Sequence, residues 1–249
     1  MSLPKILKPK QNTKLKRFGR NNDGGYLVTQ KSVINSKSLL SFGILDDVSF
    51  ENDFIKLNKV DVHCYDHTVG KNFWKKKLYS DFGAGMYNFN FPFIINSFNR
   101  YFEFKKFFSD KSNILNIETI KNGSLTDIIK SNKLQHPSFL KIDIDGSEYR
   151  ILEELIKLQS HFSALIIEFH DVDLNLKKIC DFVENFQLTL THTHPNNYGF
   201  LNHDNLPTVI ECTFETEPEL VPGEIILPNK FDQPNDPSKK DYNLIFKTN

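Results

Sequence analysis

Five short apolar runs in this chain end in polar or ionisable residues. They close with SFGILDDVSFE from Ser41, CYDHT from Cys64, DIDGSE from Asp143, EFHD from Glu168 and THTHPNN from Thr191. In an open parallel sheet, ligands bind outside the carboxyl ends of the strands. One polar strand end would be ordinary, but five that meet on one edge point to a binding site. Gly43 lets the backbone turn sharply and approach a ligand. Asp66 can accept both hydroxyls of a ribose. Asp143 can set a carboxylate beside a positively charged centre. Gly146 opens the next turn, and Ser147 can cap a following helix. Asp46, Asp47 and Glu148 also suit a plainer role as negative charges at helix N-termini. His63, His136 and His161 read as ordinary structural histidines. His170, His192 and His194 gain weight from their place on the ligand edge.

Those ends need elements to carry them. Ser38–Phe42, Val60–Tyr65, Asn113–Ile120, Phe139–Asp143 and Ala164–Phe169 read as strands, the last apolar enough to be buried on both faces. Gln187–Thr193 and Pro207–Phe214 read as two more, antiparallel to each other. Helical periodicity falls between them: Phe50, Phe54 and Leu57; Leu125–Asn132; Ser147–Gln159; and Leu174–Phe186. This alternation predicts an α/β fold with a mostly parallel sheet. Residues 1–37 precede the first strand and hold a turn cluster, Asn21–Tyr26. Residues 81–110 are crowded with Phe and Tyr; Ile95, Phe98 and Phe102 fall on one helical face, which predicts a core-covering helix, with a substrate lid over Phe82–Phe108 as the alternative. Residues 215–240 read as an irregular tail. We expect one domain with a core of about 38–214, an N-terminal extension (1–37) and a C-terminal extension (215–249).

Composition excludes several classes. Lys+Arg and Asp+Glu both count 31, without the basic excess of a nucleic-acid binder. Lys75–Lys77 reads as a solvated face. Three scattered cysteines, Cys64, Cys180 and Cys212, make neither a disulfide framework nor a zinc knuckle. The basic N-terminus lacks an apolar core of signal length, and no apolar run approaches a membrane span. A cytoplasmic protein is expected.

LKIDIDGSEYRIL resembles the KIDVEGAE-type signature of the FkbM methyltransferases, a branch of the class I fold that uses S-adenosylmethionine (SAM). RFGRNNDGGYLV, LLSFGILDDVSFE, CYDHT, SLTDII and ALIIEFH resemble further segments of that family in the right order, over about residues 17–214. The resemblance implies a Rossmann-like class I methyltransferase. Its mostly parallel seven-stranded sheet would have one antiparallel strand and helices on both faces. It also implies that Ser41, Phe42 and Gly43 form the loop under the SAM amino-acid moiety, lined by Asp46, Asp47 and Ser49 and less firmly by Glu51. Asp66 would hold the ribose, His67 and Thr68 would lie near the adenosine, and Asp143 near the methyl group. The family commonly O-methylates hydroxyls of sugars or metabolites. The loop departs from the usual GxGxG: only Gly43 remains, with Leu45 where relatives often have glycine. The GxGxxG of a dinucleotide oxidoreductase is absent.

Transfer to a hydroxyl needs a base or a metal. His170, with an ordinary pKa near 6.5, is the first candidate base, with Asp145 and His194 behind it. A magnesium site built from Asp143 or Asp145, Glu168, His170 and Asp171 is admissible but not expected, and activity that survives exhaustive chelation excludes it. N-methylation of an amine and a catalytically silent SAM-binding module are the competing readings. The expected partner is a small-molecule or glycan substrate, with a homodimer admissible through exposed aromatics. Asn196 and Asn197 suit either a substrate contact or a plain loop, and Tyr26 suits packing over the SAM site.

Overall fold

The computed structural model describes residues 2–247. Strands β1 (Leu15–Gly19) and β2 (Gly25–Thr29) pair antiparallel around the turn cluster. The Arg17 guanidinium holds that turn by donating to the Arg20 carbonyl at 3.0 Å and to the Asn22 carbonyl. Helix α1 (Gln30–Asn35) follows, and the Thr29 hydroxyl accepts from Ser32 N as its N-cap. The N-terminal extension is thus structured, and Phe18, Tyr26, Val28 and Val33 join the core.

The central sheet starts at β3 (Ser38–Phe42), followed by α2 (Ser49–Leu57) and β4 (Asp61–Tyr65). Two helices, α3 (Phe73–Tyr87) and α4 (Phe91–Phe107), form a hairpin before β5 (Asn113–Asn116). Then come α5 (Ser124–Ser131), β6 (Ser138–Ile142), α6 (Leu152–Leu158), β7 (Phe162–Phe169), α7 (Val172–Asn185), β8 (Thr189–Pro195) and β9 (Ile210–Glu215). The order is β5-β4-β3-β6-β7-β9-β8. All neighbours are parallel except β9, which runs antiparallel to β7 and β8. This is the expected seven-stranded sheet with one antiparallel strand. Apolar clusters cover both faces: Leu40 and Ile142 pack with α5, α6 and α7, while Leu39 and Phe139 pack with α1, α2 and the base of α4. Successive strand residues supply opposite faces, as the pleat requires. No helix among the described residues is long and apolar enough to cross a membrane.

Several expectations need correction. The strand expected to reach Ile120 leaves the sheet after Asn116, and Ile117 is exposed. The helix expected over 147–159 is broken. Glu148–Arg150 is a 3₁₀ turn because Glu148 is drawn inside, and α6 begins only at Leu152. Ser147 makes no side-chain cap. Ile95, Phe98 and Phe102 do share a helical face, but that face is exposed; α4 instead turns Ile94, Ser97, Phe104 and Phe107 inward. Lys77 is not free in solvent, since it pairs with Asp46 at 3.2 Å and Asp81 at 3.1 Å.

Candidate functional site

The strand order reverses between β3 and β6, and a cavity of about 270 Å³ opens at their carboxyl ends. Gly43, Leu45, Tyr65, Asp66, His67, Thr68, Glu118, Asp143, Asp145 and Ser147 are among the residues that line it. Gly43 has φ +76°, and an added Cβ would lie 1.6 Å from the Asp143 carbonyl, so only glycine lets the two strand ends approach this closely. Leu45 also has a positive φ, +42°, a conformation glycine adopts freely. Asp66 holds it there. Its Oδ2 accepts from Ile44 N at 3.1 Å and Leu45 N at 2.8 Å, while Oδ1 accepts from Thr68 N at 2.8 Å and Thr68 Oγ1 at 2.6 Å. A carboxylate offers about four acceptor sites, so Asp66 organises the loop with all of them. Glu118, exposed in the same cavity, offers a second carboxylate.

Beside the cavity, β6 and β7 bring Asp143, Glu168 and His170 together, each with a ligand atom within 4.8 Å of the others. Tyr26 Oη donates to Asp143 Oδ2 at 3.1 Å. Burial pushes the Asp143 carboxyl up to about 6, against the pull of Lys141, His170 and the Tyr26 hydroxyl. Burial also drives Glu168 well above the ordinary range, reinforced by Asp143. His170 lies between Glu148, 3.4 Å from Nδ1, and Glu168, 3.3 Å from Nε2; the exposed Asp145 is 3.7 Å away. Burial opposes its charge, but the Glu148 and Glu168 carboxylates outweigh it and push the imidazole up to about 11. That direction favours the charged imidazole at neutral pH, the opposite of the neutral form expected from the sequence. Glu148 is no helix-dipole charge: it is fully buried and also accepts from His170 N at 2.7 Å.

The other expected residues lie elsewhere. Asp46 accepts both contacts from Arg100 Nη1, at 3.1 and 3.0 Å. Asp47 accepts from Arg20 Nε at 2.9 Å and from Ser49 N at 2.8 Å. Ser49 Oγ accepts from Arg20 N at 3.0 Å. These three do not line the cavity and instead fasten its loop to the hairpins. Phe42 is in the core, and Ser41 donates to Glu51 at 2.5 Å in a fully buried contact. Lys141 completes that pair from β6, 3.4 Å from Glu51.

His192 and His194 sit within β8, buried beneath the C-terminal segment rather than on the cavity edge, because the strand runs on to Pro195. His192 Nε2 meets Asp232 at 2.8 Å, and His194 lies 3.1 Å from Asp241 and 3.6 Å from Glu211. Burial opposes the charge on His194, but Asp241 and Glu211 push it up to about 10. Its stabilisation is complete below the unfolded value near 6.5 and is lost as pH rises through about 10. Thermal unfolding should therefore fall in Tm across that window, and His194→Gln should lower Tm at pH 6 while flattening the fall.

Glu118 and Glu148 carry roles that sequence reasoning missed. Glu118 falls within the strand expected over Asn113–Ile120 and Glu148 within the helix expected over Ser147–Gln159. A carboxylate five residues beyond Asp143 in a Gly-containing turn was the available signal for Glu148. As for cofactors, the cavity joins backbone, hydroxyl and carboxylate groups to the half-buried Asp143, a set that fits a ribose diol and a cationic centre, as in SAM. The Asp143–Glu168–His170 set would also surround a divalent cation, but hard Mg²⁺ favours oxygen, and His170 already supplies positive charge there.

A family model described as the methyltransferase FkbM domain matches residues 75–201, half of the chain. No curated protein matches it. Among solved structures, the precorrin-6y C5,15-methyltransferase of Geobacter metallireducens is similar at 12% identity and TM-score 0.40, over 75% of this chain and 85% of that one. The spermidine synthase of Thermotoga maritima is similar at 11% identity and TM-score 0.40, over 85% and 72%. The Methanococcus jannaschii fibrillarin pre-rRNA processing protein reaches 8% identity and TM-score 0.40, over 74% and 68%. The family match spans the α3–α4 hairpin, the DIDGSE turn and both strands that carry the carboxylates, and on it the chain belongs to the FkbM methyltransferases, SAM-dependent transferases of methyl groups.

Proposed function

We propose that this methyltransferase acts on a hydroxyl of a sugar, glycan or small metabolite, with Asp143 as the base and His170 as its positioning cation. SAM supplies a methyl made electrophilic by its sulfonium. Gly43 and Leu45 form the floor of the cofactor cavity, and His67, Thr68 and Glu118 face its nucleoside half. Asp66 keeps that floor in shape. Asp143 is the observation that carries the reading: a half-buried carboxyl at the cavity wall, raised to about 6, is ionised at neutral pH yet basic for its kind. A general base works best with a pKa near the working pH. Tyr26 Oη and the His170 imidazolium hold Asp143 in place and keep it charged. As the methyl arrives, the hydroxyl proton passes to an Asp143 oxygen.

The test is SAM-dependent methyl release with a panel of sugar hydroxyls and amines. The exposed Asp145 next to Asp143 also suits a protonated amine, which favours N-methylation as the second reading. Turnover on amines alone would select it. His170→Gln should reduce kcat about 10- to 100-fold, with the KM for SAM nearly unchanged. The imidazolium pulls Asp143 down, so its loss should move the acidic limb of the pH profile upward. An unmoved limb and unchanged turnover would remove His170 from this role.

A further inference from the structure

The α3–α4 hairpin is fastened to the body at its base. There Lys77 and Arg100 pair with Asp46, Arg20 pairs with Glu103, and Trp74 packs on Tyr101 and Phe104. Beyond the base, α3 buries only Gly85, against which Ile94 of α4 packs closely. From Phe82 to Asn99 the sequence holds no charged residue. Tyr87 is 85% exposed and Phe89 83%, and Phe82, Met86, Phe91 and Phe93 are exposed with them. Patches beyond a few hundred Å² mark interaction sites, and with 150–250 Å² per aromatic this tip exceeds that size.

Exposure and charge together say what covers it. Tyr87, Phe89, Phe91 and Phe93 are all exposed at the turn and the helix ends beside it. The hairpin also carries Lys75, Lys76, Lys77, Arg100, Lys105 and Lys106 against only Asp81 and Glu103, in a chain balanced at 31 against 31. The remainder is therefore acidic. A second copy would set two basic hairpins against each other, while an anionic surface attracts the hairpin and repels the rest. Lys75, Lys105 and Lys106 are exposed at the base. With 1.5 Å of rise per residue, the aromatic tip lies roughly 20 Å beyond Lys75, Lys105 and Lys106, so the two regions engage one surface together when the hairpin lies along it, as interfacial helices do.

We infer that the α3–α4 hairpin docks on an anionic lipid surface, with its aromatic tip in the interface and its basal lysines against lipid phosphates. The full chain should co-sediment with phosphatidylcholine vesicles containing phosphatidylserine and much less with phosphatidylcholine alone. The triple substitution Tyr87→Ser, Phe89→Ser, Phe91→Ser should weaken partition at least about tenfold, with circular dichroism and SAM binding unchanged. Lys75→Gln with Lys105→Gln and Lys106→Gln should weaken it about tenfold and flatten its salt dependence, which keeps the test decisive if the aromatic variant misfolds. Absence of partition on phosphatidylserine vesicles, or equal partition by parent and both folded variants, would overturn the inference. So would a dimer seen by light scattering and dispersed by the aromatic substitutions, without vesicle binding, which would assign the surface to a second copy.

Discussion

Asp143→Asn is expected to lower turnover by about a thousandfold, within the range that a positioned base contributes, and to leave SAM binding within a few-fold. The substitution keeps the shape and an acceptor for the Tyr26 hydroxyl, which donates to Asp143 Oδ2 at 3.1 Å. What it removes is the group that takes the proton. His170 cannot replace it, because the flanking carboxylates push the imidazole up to about 11 and leave it protonated. Asp145 cannot replace it well either, since its exposed side chain has water competing for every contact. Calorimetry with SAM and a methyl-release assay separate binding from chemistry. Retained turnover in the Asn variant would place the base elsewhere.

The second large effect falls on stability. Lys141 is buried under the Gly43 loop, with Nζ 3.4 Å from Glu51 Oε1 and 3.5 Å from the Gly43 carbonyl. It also sits 5.5 Å from the Tyr26 ring centroid and 6.0 Å from that of Phe50. Burial opposes its charge, but Glu51 and Asp143 keep the ammonium favoured. Lys141→Ala leaves the fully buried Glu51 without its counter-charge. Breaking a buried pair from one side costs about 3–5 kcal/mol, which for a chain of this size is a Tm lower by roughly 6–20 °C. The double variant Lys141→Met with Glu51→Gln should recover most of that loss, because neither charge is then stranded. Thermal unfolding of the three variants checks it. A single variant as stable as the parent would show that Glu51 takes a proton or finds water instead.

Much of the frame was legible beforehand. β3, β6 and β7 are short apolar runs bounded by polar residues, and their alternation with helices predicts a parallel sheet, while their order in it comes from the structure. The site was legible as an edge but not as a set of contacts. That Asp66 ties down Leu45 and Thr68 depends on backbone donors from two loops, which residue types do not reveal. That His170 is charged depends on Glu148 and Glu168, one from the next strand's turn and one from its own strand. Glu118 was hidden by a boundary: the apolar and β-branched residues after Asn116 continue a strand pattern that the sheet does not follow. The face of Ile95, Phe98 and Phe102 shows the remaining limit. Periodicity says which residues share a side of a helix, and only packing says whether that side meets protein or solvent.

The most direct test of the catalytic account is the pH profile of kcat/KM for SAM-dependent methyl transfer to a hydroxyl acceptor. The account predicts a limb that rises with pH and levels above an ionisation near 6, the value to which burial brings Asp143, and that disappears in Asp143→Asn. A profile that stays flat from pH 5 to 8, or the same limb in the Asn variant, would contradict it.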